Sequence, residues 1–170
     1  MSEHKKTIVV SLQVKEIIFD VMNKTHLTGV SRRAEGDNYE NAANMQASED
    51  NEHSYQIRRS ISNAFAELKV ELGEYLTEDG STTNNLIKQE VDNDGVLGLS
   101  FTLPSNFNNS ACDSLGGGLH EYIVNKTIFD WFTITNKKDA ADYKALSDAS
   151  LERTKKALYK RERPTRPIYT

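Results

Sequence analysis

One cysteine, one tryptophan and three prolines among 170 residues leave little of the equipment on which many small proteins rely. A single thiol, Cys112, excludes an intramolecular disulfide and a thiolate cluster for zinc, and it reads as a buried small side chain. No apolar run approaches the ~18 residues that a membrane span requires, so no membrane partner is expected. The first seven residues lead into a short apolar run, Ile8-Val9-Val10, without a small-residue cleavage pattern. No signal peptide is therefore expected, and the chain reads as made in the cytoplasm.

Catalytic and cofactor motifs are also missing. Glu90, Asp92, Asp94 and Gly95 imitate the first half of a calcium loop, but Phe101 stands where a bidentate glutamate should close it. Turn chemistry explains these residues better. His120-Glu121 lacks the second histidine of a zinc-protease helix, because position 124 is Val. Gly116-Gly117-Gly118 has no following Lys-Ser/Thr and is better read as a hinge or tight packing point than a phosphate cradle. Ser114 has no Gly-x-Ser-x-Gly context. The expectation is a protein without enzymatic activity, metal or cofactor.

What the chain does have is an uneven distribution of charge. The net charge of −4 hides an acidic segment, residues 34–56, with Glu35, Asp37, Glu40, Glu49, Asp50 and Glu52 and no Lys or Arg. Lys155, Lys156, Lys160, Arg161, Arg163 and Arg166 then crowd residues 155–166 against Glu162 alone. Such poles can pair head to tail between copies of one chain, or the basic one can meet phosphates. Length favours one domain, and 37% hydrophobic with 27% charged residues describes a polar chain with a modest core.

Apolar spacing predicts a mainly α protein, a bundle of about four helices with a β-hairpin insertion and an extended C-terminal arm. Val10, Val14, Ile17, Ile18 and Val21 predict a first helix over about residues 11–24, although residues 7–10 could begin as a strand. Between Gly36 and Ser48 the polar stretch 37–47 has little to bury and reads as a mobile loop holding a turn or two of helix. Ile57, Ile61, Ala64, Phe65, Leu68, Leu72, Tyr75 and Leu76 predict an amphipathic helix over about residues 51–77. A hairpin follows at about 84–103, with Ile87, Gln89 and Val91 before the Asp92-Asn93-Asp94-Gly95 turn and Leu97, Leu99, Phe101 and Leu103 after it. It can cover one side of the core or reach out to a neighbour. Residues 105–118 read as a Ser/Asn/Gly-rich linker.

Two helices joined by a turn are predicted over residues 115–159. The first carries two apolar stripes, Leu115, Leu119, Tyr122, Ile123, Phe129 and Phe132, and then Val124, Ile128 and Trp131. Two stripes mean either a central helix surrounded by others or a second face, near Trp131, that meets a partner subunit. Asn136 and Asp139 mark the start of the last helix, whose inner face is assigned to Tyr143, Leu146, Ser150, Leu151, Ala157 and Leu158. One domain over 1–159 then gives way to a basic arm, 160–170, which Pro164 and Pro167 keep extended. Its partner-binding candidates are Arg161, Arg163, Pro164, Arg166, Pro167 and Tyr169. Nucleic acid is one candidate partner for these arginines and tyrosines, and a protein surface is the other.

Ile128-Phe129-Asp130-Trp131-Phe132, then Ala141-Asp142-Tyr143, then Leu158-Tyr159-Lys160-Arg161-Glu162-Arg163-Pro164-Thr165-Arg166-Pro167 resemble a family encoded among the structural genes of tailed bacteriophages and prophages. The resemblance spans the C-terminal two thirds, and the closing Arg-x-Arg-Pro-x-Arg-Pro is its strongest part. The arrangement also resembles phage head–tail connector (adaptor) proteins. That implies a virion protein at the neck, forming a homo-oligomeric ring beneath the portal protein, with adjacent neck or tail proteins as partners and packaged DNA in the ring lumen. The arm would then anchor in the portal or the adjacent ring. A tail terminator or a nucleic-acid-binding accessory protein is the alternative. Residues 34–48 and the glycine-rich stretch before the central helix have no counterpart in that pattern.

Overall fold

The computed structural model describes residues 4–77 and 91–168. Along the chain come β1 (Lys5–Gln13), α1 (Val14–Ala34), α2 (Tyr39–Asn44), α3 (Asn51–Glu71), β2 (Val96–Pro104), α4 (Cys112–Thr135) and α5 (Lys137–Leu158). Four of these five helices are long, and with the antiparallel pair β1–β2 they form the mainly α bundle that apolar spacing predicts.

The centre of the bundle is α4, which packs against α5, α3, α1 and β1. Both of its apolar stripes are buried by this same chain: Leu115, Leu119, Tyr122, Ile123 and Phe132 on one, Val124, Ile128 and Trp131 on the other, with Phe129 half-buried. Burial of that extent overrides the weak helix propensity of its glycines. The expected linker over 105–118 is accordingly shorter. Asn109–Ala111 form a 3-10 turn, and α4 begins at Cys112 with all three glycines inside it. Gly118 is the tight packing point, since a methyl group there would overlap the Thr154 hydroxyl of α5.

That closeness explains α5. Its buried face is made of small residues, Ala140, Ser147, Ser150, Thr154 and Ala157, together with Leu158. Tyr143 and Leu151 are half-buried beside it, while Leu146, assigned inward by spacing, is 50% exposed. On α3 the predicted face holds, with Ile57, Ile61, Ala64 and Leu68 buried. Regular helix stops at Glu71, and Phe65 is half-buried, its ring 4.6 Å from the Lys69 ammonium.

Three expectations near the N-terminus and the hairpin change. Residues 5–13 are strand throughout, because Ile8, Val10 and Leu12 alternate inward opposite Phe101, Leu99 and Leu97. The first helix therefore starts at Val14 and runs through Thr28-Gly29 to Ala34. Gly29 lies against Ala42 and Gln46, a contact that leaves no room for a side chain. The second predicted strand forms, but it pairs with β1 along one edge, from Lys5 opposite Pro104 to Gln13 opposite Val96, and on the other edge, among the described residues, with residues 75–77 through a single bridge of Leu76 to Phe101. Leu97, Leu99, Phe101 and Leu103 are buried, so β2 covers the core. The hairpin's expected first strand lies outside the described residues up to position 90.

The expected mobile loop is also docked. Ala42 and Met45 are buried, the Ala47 amide donates to Thr25 Oγ1 (3.2 Å), and Trp131 Nε1 donates to the Met45 carbonyl (2.8 Å).

Candidate functional site: the C-terminal arm and its root

Helix α5 ends in a fixed exit for the chain. Arg161 Nη1 donates to the Leu158 carbonyl (2.8 Å), an acceptor of the last helical turn, and to the Lys160 carbonyl just beyond it (3.3 Å). A short antiparallel bridge then joins Arg161 to Phe107: the Asn108 amide donates to Lys160 O (3.0 Å) and the Glu162 amide to Asn106 O (2.8 Å). Phe107 is fully buried, and Lys6 Nζ reaches its carbonyl (2.8 Å) and Glu162 Oε1 (3.3 Å). Tyr159 meets Tyr75 edge to face at 5.7 Å. Burial, then the Tyr159 hydrogen bond, push the Tyr75 hydroxyl up to about 12.

Beyond Glu162 nothing holds the chain among the described residues. Residues 163–168 are exposed and have no regular structure, and Ile168 is 90% exposed. Arg163 and Arg166 make no ion pair there. Of the candidates from sequence, Arg163, Pro164, Arg166 and Pro167 lie on this free arm and Arg161 in its root. Tyr169 lies outside the described residues. Trp131 is in the interior, its indole edge-on to His53 at 4.9 Å, so in the single chain its face is already covered. Sequence reasoning missed Lys6, Asn106 and Phe107 as parts of the root, since no local signal links them to partners more than fifty positions away.

The start of the acidic segment lies at the other end of α5, while Glu49 lies beside the first half of α1. Asp37 approaches Lys138 at 4.0 Å, Asn136 Nδ2 contacts Met45 Sδ (3.5 Å), and Arg32 Nε donates to Asp139 Oδ2 (2.9 Å). Hydrogen bonding by Arg32, reinforced by Asn136, holds the Asp139 carboxyl below its ordinary range despite its burial. Glu40, Glu49 and Glu52 are exposed and make no ion pair among the described residues. A helix of 22 residues is about 33 Å long, so the basic root and Asp37 are separated by roughly the length of α5.

Among the described residues no group of three or more His, Cys, Asp or Glu side chains is placed to hold a metal ion, and no helix is long and apolar enough to cross a membrane. His120 bonds Asp20 across the α1–α4 contact at 2.6 Å. No family model, curated protein or solved structure matches the chain.

Proposed function

We propose that this chain is a structural, non-enzymatic virion protein of a tailed phage, a head–tail connector (adaptor) subunit that forms an oligomeric ring at the neck beneath the portal. The observation that carries the reading is the arm: an exposed, doubly proline-stiffened basic segment leaving a rigid root at the end of α5 opposite Asp37. A ring subunit needs a heterologous contact between two unlike surfaces, and a basic arm on one copy has exposed acidic residues such as Glu49 to meet on the next. The sequence resemblance to phage structural proteins gives the setting, with portal and adjacent neck or tail proteins as partners and DNA passing through the lumen. Such a role requires no active site.

Native mass measurement of the protein mixed with the products of its neighbouring genes tests this. A closed multimer bound to a portal or tail component is expected. Deleting residues 163–170 should leave a folded protein that does not join heads to tails, and infectious particles assembled with that truncation would refute the proposal. Strong, salt-dependent binding of DNA by the isolated protein, with no association to virion components, would refute it in favour of an accessory nucleic-acid role.

A further inference from the structure

A groove of about 440 Å³ runs along the first half of α1, with Ile18, Phe19 and Met22 as its apolar floor and Glu49 and Asp94 on its rim. Phe19 is 62% exposed, which is unusual for so large an apolar ring, and Ile18 and Met22 are only half-buried. Glu49 and Asp94 make no ion pair among the described residues, and Lys15 is the one cation lining the groove. The free arm has the complementary chemistry: two unpaired arginines, two prolines and an exposed isoleucine within six residues.

We propose that the arm of one copy docks in this groove of a second copy, with Ile168 on Phe19 and Ile18 and with Arg163 and Arg166 opposite Glu49 and Asp94. Reach separates the arm from the Asp94 end of its own groove. The root is fixed at Asn106, beside the Pro104 end of β2, whereas the groove lies at Asp94, past the Val96 end. Nine strand residues span about 27 Å. From Glu162 to Ile168 a fully extended chain covers about 20 Å, so Ile168 falls short of the Asp94 end of its own groove. Each copy therefore gives an arm at one place and receives one at another, a heterologous contact that closes into a ring or runs on as a filament. The two prolines reduce the freedom lost on docking, and each charge pair sits on a rim where it adds specificity. This inference stands on the arm and groove alone and holds whether or not the assembly is a phage neck.

The test uses the full chain. Sedimentation velocity should show self-association that weakens with salt. Arg163→Glu with Arg166→Glu, and separately Glu49→Arg with Asp94→Arg, should each weaken it by about tenfold or more, while a mixture of the two variants regains association. All four positions are exposed, and helical circular dichroism verifies that each variant is folded. In a Cys112→Ser background, Phe19→Cys with Ile168→Cys should oxidise to a ladder of dimers, trimers and higher species. A disulfide formed only within monomers, a chain monomeric at every concentration, or arm variants that lose DNA binding but keep self-association would each overturn the proposal.

Discussion

Replacing Gly118 by Ala inserts one methyl group where α4 and α5 are closest. The new Cβ would overlap Thr154 Oγ1 and lie 3.4 Å from Thr154 Cβ and 3.5 Å from the Ser150 carbonyl. Thr154 is fully buried, and its hydroxyl donates to that same carbonyl at 2.8 Å. The methyl therefore forces either the helices apart or Thr154 into a rotamer that breaks its bond. Overpacking costs about 1–3 kcal/mol and loss of a buried hydroxyl's bond about 1 kcal/mol more, against a gain of about 1 kcal/mol in helix propensity. A net destabilisation of about 2 kcal/mol is expected. Gly116 is the control, because a Cβ there meets nothing within 4 Å. Gly116→Ala should stabilise by about 0.5–1 kcal/mol. Urea unfolding of both variants reads the difference, and Thr154→Ala combined with Gly118→Ala should recover part of the loss in a double-mutant cycle. Gly118→Ala as stable as Gly116→Ala would refute the close approach of the two helices.

Phe101→Ala on β2, a fully buried site, should cost about 3–5 kcal/mol, and Phe65→Ala, half-buried on α3, only about 1–2 kcal/mol; equal losses in urea unfolding would contradict the placement of β2 in the core. Asp139→Asn should cost about 1–3 kcal/mol at neutral pH. Because Asp139 is held below its unfolded value, that stability is present above about pH 4 and is lost as pH falls through the lower folded value, so the wild-type and variant midpoints should converge in acid. Trp131, the sole tryptophan, should emit as a buried indole and shift to the red when the segment around Met45 is detached; a solvent-like native spectrum would disprove the docking.

Apolar spacing revealed those elements whose buried face is built of large side chains. It located α3 through Ile57, Ile61 and Leu68, and α4 through its two stripes. It misassigned Leu146 because the inner face of α5 is written in Ala, Ser and Thr, the residues that a close helix contact admits and that carry little hydrophobic signal. Around residue 11 a strand of period two runs into a helix, and Val10 and Val14 fit both patterns. Three consecutive glycines looked like a loop because propensity is local and the burial that overrules it is not. The charge poles were legible as composition. The distance of Asp37 from the arm was not, since it depends on α5 standing between them. Nor could a sequence show that Arg161 is engaged at its own helix end while Arg163 and Arg166 stand free.

The pairing of β1 with β2 also orders events during synthesis. Lys5 has to await Pro104, and Gln13 has to await Val96. At about 5–20 residues per second, β1 therefore spends on the order of ten seconds outside the ribosome with Ile8, Val10 and Leu12 unmatched. α1 and α3 can form early from local hydrogen bonds, whereas closing the sheet must bring distant segments together, a slow step in chains dominated by non-local contacts. Interference with residues 96–104 would thus release the beginning of the chain as well as the strand itself. Truncated nascent chains ending before residue 104 should expose β1 to proteases and chaperones, and those extending past the ribosome exit tunnel beyond it should not.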